Sequence, residues 1–177
     1  MQRPQLEHLI RAAAEITNQY EFVVVGSQSS LGSVDAPPAE CVLSMEADIY
    51  PLNAPELADL IDGAIGELSM FHDQFGYYAQ GVSPRTAQLP LGWFDRVVRL
   101  QSAGTNHRVA YCLDPVDLFV SKACAAREKD ADFNRALLAH GIVTLDGVLD
   151  RATKLEGANE RARAIAWIRR LTMPLSP

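Results

Sequence analysis

Val23-Val24-Val25-Gly26-Ser27-Gln28-Ser29-Ser30 reads as a buried strand running into a turn of small residues. With Glu21-Phe22 before it, the β-branched run is short and continuous, as in a strand covered on both faces. Gly26 and Ser27 stop it. Glycine lets a ligand approach the backbone closely, and consecutive N–H groups beside a hydroxyl form a nest for an anion. An ordinary strand-to-loop turn has the same sequence. A phosphate-binding loop of the Gly-x-x-x-x-Gly-Lys-Ser/Thr kind is excluded, because no Lys-Ser/Thr follows. No Gly-x-Ser-x-Gly elbow occurs either, which disfavours a serine hydrolase.

Cys41-Val42-Leu43-Ser44-Met45-Glu46-Ala47-Asp48-Ile49-Tyr50 has strand character and is expected to end at Pro51. Side chains two apart on a strand face the same way. Glu46 and Asp48 therefore share one face, about 7 Å apart along the strand, with Ala47 and Ile49 turned to the core. Two carboxylates so close are unfavourable unless water or a cation neutralises them, and Mg²⁺ does so through oxygen ligands. The plain alternative is a pair of acids on the wet face of an edge strand.

Outward from these two strands the chain alternates. Leu6, Leu9, Ile10, Ala13 and Ile16 recur at helical spacing and predict a helix over residues 4–20. Residues 28–39 read as a loop containing Pro37-Pro38. A helix is expected over residues 55–69, with Asn53 as its cap and Leu57, Leu60, Ile61, Ala64, Ile65 and Leu68 on one face. Residues 77–82 form a further strand candidate. Residues 96–101 and 108–113 flank Gly104-Thr105-Asn106 as a hairpin. Helices follow over 114–127, 130–140, 144–155 and 159–171. The expected fold is α+β: a single domain over residues 1–177, with a small mixed sheet and its helices over 1–112 and a helical part over 113–177.

Lys122 lies mid-helix among Val120, Ala123, Cys124 and Ala126. A lysine in such company either snorkels to water or faces a partly buried site that holds an anion. Eight residues on, Asp130 would stand about 12 Å away in a continuous helix. The two can meet if the chain bends between Arg127 and Asp130. Asp130 could equally cap the following helix. For Arg127-Glu128-Lys129-Asp130 as a whole, charge pairing between helices is the bland alternative.

The 177 residues carry a net charge of −6, and the basic side chains are mostly interleaved with acids. An electrostatic nucleic-acid binder needs a basic stripe, and only Arg161, Arg163, Arg169 and Arg170 concentrate positive charge. Cys41, Cys112 and Cys124 have no metal-like spacing, and His8, His72, His107 and His140 lie far apart, which argues against structural zinc. An odd cysteine count and an N-terminus unlike a secretory signal point to reduced thiols and a cytoplasmic location. No window approaches about 18 apolar residues, so no membrane span or membrane partner is expected.

Gly26-Ser27 after a strand, Glu46-x-Asp48 on the next, and Leu113-Asp114-Pro115-Val116-Asp117-Leu118 through Lys122 to Arg127-Glu128-Lys129-Asp130 together resemble the nucleotidyltransferase superfamily related to DNA polymerase β. The branch they look most like is the compact bacterial one of the AbiEii-type toxins, and the resemblance spans residues 20–140. It implies an enzyme that transfers a nucleotidyl group from an NTP to a hydroxyl on RNA, protein or a small molecule. Mg²⁺ would be the cofactor, with Mn²⁺ as a substitute. It implies that Gly26 and Ser27 hold the triphosphate and that Glu46 and Asp48 ligate the metal. Lys122 would touch phosphate or a substrate oxygen, and Asp130 would orient Lys122 or a hydroxyl. It also implies a toxin with an antitoxin protein as partner.

Two departures stand out. The interval from Ser27 to Glu46 is longer than the family's usual one, and the strand that should carry a third carboxylate offers Gln80. Asp73 and Asp95 are candidate substitutes. Gln80 motivates a second reading, a non-catalytic protein of the same fold that binds a nucleotide or a protein partner. A third reading is a helical adaptor acting through its last third.

Overall fold

The computed structural model describes residues 1–172. In chain order the helices are α1 (Arg3–Thr17), α2 (Ser30–Ser33), α3 (Ala58–Ile65), α4 (Met70–Phe75), α5 (Pro115–Ala125), α6 (Glu128–Ala139), α7 (Leu145–Ala152) and α8 (Ala158–Leu171). The strands are β1 (Glu21–Val25), β2 (Glu46–Pro51), β3 (Tyr78–Gly81), β4 (Val98–Leu100) and β5 (Val109–Cys112). They form one mixed sheet in the order β3-β2-β1-β5-β4. β1 runs antiparallel to β2 and parallel to β5, β2 runs parallel to β3, and β4 and β5 form the expected hairpin. The α+β mixed sheet expected from the sequence is the fold observed.

β1 lies at the centre, which is why its apolar run is unbroken. Phe22 and Val24 face α1 and α3, packing with Leu6, Leu9, Ile10, Ala47, Ile49 and Ile61. Val23 and Val25 face the other way, into a core shared with Leu118, Phe119, Phe133, Leu137 and Ile168 of the C-terminal helices. Alternation along β2 follows the same division. Ala47 and Ile49 are fully buried on the α1–α3 side, while Tyr50 joins the opposite core. Glu46 and Asp48, in phase with Tyr50, face the C-terminal helices. The sheet thus carries its two acids toward the half of the chain that carries Lys122.

Local chemistry shifts several expected boundaries. Residues 41–45 are not strand: Ala39–Cys41 is a 3-10 turn, and Ser44 Oγ accepts from Glu46 N at 3.1 Å, so pairing starts at Glu46. Pro51 closes β2 from inside it. Residues 28–33, expected as part of a loop over 28–39, continue a 3-10 turn from Ser27 and form the short α2. The helix expected over 55–69 is broken at Gly66, whose N–H bonds Asp62 O, and α4 restarts from Ser69, whose hydroxyl accepts from His72 N. Leu60 and Leu68 are consequently exposed. Asn53 does not cap; its amide donates to Glu21 Oε2. α3 lies so close to β3 that a Cβ on Gly81 would stand 1.8 Å from Ala58 O.

Candidate active site

β1 delivers the chain to Gly26 at φ +67°, a left-handed conformation open to glycine at little strain. The position needs glycine for a second reason: a Cβ there would lie 2.0 Å from Asp48 Oδ2. Val25 is registered against Asp48, so the turn after β1 and the acids of β2 sit side by side. Ser27 opens the 3-10 turn Ser27–Ser29, and its hydroxyl accepts from the Lys122 ammonium.

Asp48 is crowded. Burial pushes its carboxyl up to about 7, helped by the charge of Glu46 and a hydrogen bond between the two, while Arg127 and Lys122 pull the other way. The Tyr78 hydroxyl lies 3.4 Å from Glu46 Oε2. On β3, Gln80 is registered directly against Asp48, which is the place where the resemblance expects a third carboxylate. Its amide neither ligates strongly nor accepts a proton at neutral pH.

Lys122 projects from α5 and is 5% exposed. Its ammonium donates to Ser27 Oγ and to Asp130 Oδ1, both at 2.8 Å, and sits 4.2 Å from the centre of the Phe133 ring. Arg127 Nε donates to Asp130 Oδ2 at 2.7 Å. Burial lowers the lysine's pKa, against the pull of Asp130. Burial would raise the carboxyl of Asp130, but Arg127 and Lys122 outweigh it and hold it below the usual carboxylate range. The contact across eight residues exists because α5 ends at Ala126 in the left-handed region, φ 53°. The bend therefore comes earlier than the expected one between Arg127 and Asp130. Asp130 does not cap α6: Arg127 holds that position, and both Asp130 oxygens are used by the two cations.

Gly26, Ser27, Glu46, Asp48, Lys122 and Asp130 all line one open cleft of about 920 Å³. Asp73 and Asp95 do not line it, so neither supplies the third acid there. Glu40, Arg85, Lys129 and Arg163 do line it, and no local pattern of residues singles out Glu40 or Arg85. Arg163, read from the sequence as part of a basic tail, reaches the cleft from α8. Five cationic side chains thus meet in one cleft of a chain whose net charge is −6. Among the described residues no group of three His, Cys, Asp or Glu is placed to hold a metal. Glu46 and Asp48 remain as two hard oxygen donors. Two such donors fit Mg²⁺, which commonly takes one or two carboxylates and completes its shell with water and substrate phosphate.

Residues 4–163 match a family model described as nucleotidyltransferase of unknown function, DUF6036. The chain belongs to this family. The match takes in every element of the sheet, the cleft and α5 to α7, and it runs into α8 as far as Arg163. No curated protein and no solved structure matches the chain. As in the sequence, no helix among the described residues is long and apolar enough to cross a membrane.

Proposed function

We propose that this member of the nucleotidyltransferase family binds an NTP with Mg²⁺ in the cleft and transfers its nucleotidyl group to a hydroxyl acceptor. The observation that carries the reading is the 2.8 Å contact of Lys122 with Ser27 at the point where Gly26 meets Asp48. Strand-end turn, acid pair and buried lysine converge there from three separate parts of the chain. Glu46 and Asp48 would hold Mg²⁺, which would supply positive charge against the charge that develops in transfer. The Gly26 backbone and the Ser27 hydroxyl lie where they can receive the phosphates. Lys122 already points at that position, and Asp130 and Arg127 hold its orientation. The cations Arg85, Lys129 and Arg163 add positive potential suited to a polyanion.

The test is incubation with radiolabelled NTPs and Mg²⁺, scored for label on candidate RNA, protein and small-molecule acceptors. Wild type should transfer label and Asp48→Ala should not. Label transferred equally by both would overturn the reading. The AbiEii-like version adds a toxin held in check by an antitoxin protein. Its expected outcome is growth arrest on expression, lifted by Asp48→Ala.

Gln80 favours one second reading, a nucleotide-binding protein of this fold without catalysis, since no acid stands beside Asp48 on β3. Under it, Mg²⁺-dependent NTP binding persists with no transfer to any acceptor, and Gln80→Glu is the variant to assay for gain of transfer.

A further inference from the structure

A second concavity, about 310 Å³, lies between α6 and α8. Arg127, Arg135, Arg170, Glu128 and Trp167 line it, and among its lining residues Arg127 alone also faces the catalytic cleft. Arg127 stands at the N-cap of α6, where the helix dipole is positive. Arg135 lies two turns on, and Arg170 is in the last turn of α8. Against them stand Glu128 and the carboxylates of Asp130 and Asp132, which pair with Arg127 and Arg135. The guanidinium groups are not used up. Arg127 spends Nε and one Nη2 hydrogen on Asp130, which leaves the rest of its five donors. Arg135 gives only Nη1, to the exposed Asp132. Arg170 makes no ion pair or side-chain hydrogen bond among the described residues.

We propose that this groove binds a compact phosphoryl anion through Arg127, Arg135 and Arg170. Guanidinium forks match tetrahedral phosphate oxygens and bind them by paired, charge-assisted hydrogen bonds. The small volume suits phosphate, pyrophosphate or the phosphate end of a small metabolite. Arg127 can take the anion with its free N–H groups while keeping Asp130, so the groove and the Lys122 cluster share one side chain. The assignment does not depend on what the cleft binds.

The chain has two tryptophans, Trp93 and Trp167. In Trp93→Phe protein the emission of Trp167 reports the groove alone. Sodium pyrophosphate, inorganic phosphate and a nucleoside monophosphate are titrated separately, each against sodium chloride at matched ionic strength. At least one should give a saturable change, and the tightest of the three identifies the source of the phosphoryl group. Arg135→Ala with Arg170→Ala should weaken it at least about tenfold by removing two charge-assisted contacts, with the thermal midpoint unchanged because both side chains are exposed. The response should survive Lys122→Met, so the nucleotide reading of the cleft can fail while this one stands. Calorimetry with the same anions on Lys122→Met protein, with and without the double substitution, makes the comparison with Trp93 retained. A response no larger than that of sodium chloride, or one that persists in the double variant, overturns the proposal.

Discussion

At Lys122 and Asp130 the burial of charge decides what each substitution does. Asp130→Ala leaves the lysine 5% exposed without the carboxylate that pairs with it. The expected loss is about 3–5 kcal/mol, the usual range for breaking a buried pair, measured by urea denaturation. Lys122→Met should lose less, because Asp130 keeps Arg127 and the methionine stem fills the space beside Phe133. Its larger effect should fall on NTP affinity. Asp48 gives a pH dependence with a definite sign. Its carboxyl titrates near 7 when folded and near 3.8 when unfolded, so the folded state holds the proton longer. Stability contributed by this group is therefore lost as pH rises from about 4 to about 7 and stays lost above. Asp48→Asn should accordingly stabilise the metal-free protein more at pH 8 than at pH 5 by denaturant midpoint. Added Mg²⁺ should stabilise wild type more at pH 8 than at pH 6, because the cation competes with that proton.

At the scale of elements, α5 is fastened at both ends by charge. Asp114 caps it by accepting from Val116 N and Asp117 N. Asp117, fully buried one turn on, takes Arg96 Nε at 2.8 Å and Arg151 Nη1 at 2.8 Å. These bonds tie the segment before β4 and α7 to the start of the helix whose far end aims Lys122. Asp117→Ala removes the buried carboxylate that two guanidinium groups share, leaving Arg151 with Asp114 at 3.3 Å, and should cost about 3–5 kcal/mol. Asp114→Ala removes a cap and should cost about 1 kcal/mol. Both are read by thermal or urea unfolding, and a loss under about 1 kcal/mol for Asp117→Ala would show that the network contributes little. The sequence marks Asp114-Pro115 as a helix start, yet nothing in it pairs Asp117 with Arg96 or Arg151. Those partners lie 21 and 34 positions away, and only tertiary packing brings them together, Arg151 by the contact of α5 with α7 and Arg96 from the turn before β4.

Across the whole molecule the cleft lies between the sheet and the C-terminal helices, so a ligand there bridges both halves. NTP with Mg²⁺ at 100 times its Kd should raise stability by about 2.7 kcal/mol, seen as an upward shift of the thermal midpoint that needs both components. A shift with NTP that is the same without Mg²⁺, and unchanged in Asp48→Ala, would count against metal-assisted binding.

Much of this was legible from local pattern. Periodicity and β-branching marked β1, α1 and α5 to within a few residues, and β2 apart from the five residues 41–45, because each buries a face along its own length. The i, i+2 spacing of Glu46 and Asp48 fixed their common face, and small-residue company singled out Lys122. Tertiary structure alone decided what meets what. It put Gln80 beside Asp48 by strand register, brought Glu40 and Arg85 into the cleft, and kept Asp73 and Asp95 out of it. It set the bend at Ala126, where a left-handed residue lets α6 fold back and Asp130 reach Lys122. The division is physical. Hydrophobic period and turn chemistry are properties of neighbouring residues and are written locally. A hydrogen bond across 95 positions, as from Lys122 to Ser27, exists only once burial of both faces of β1 has fixed where the helices lie.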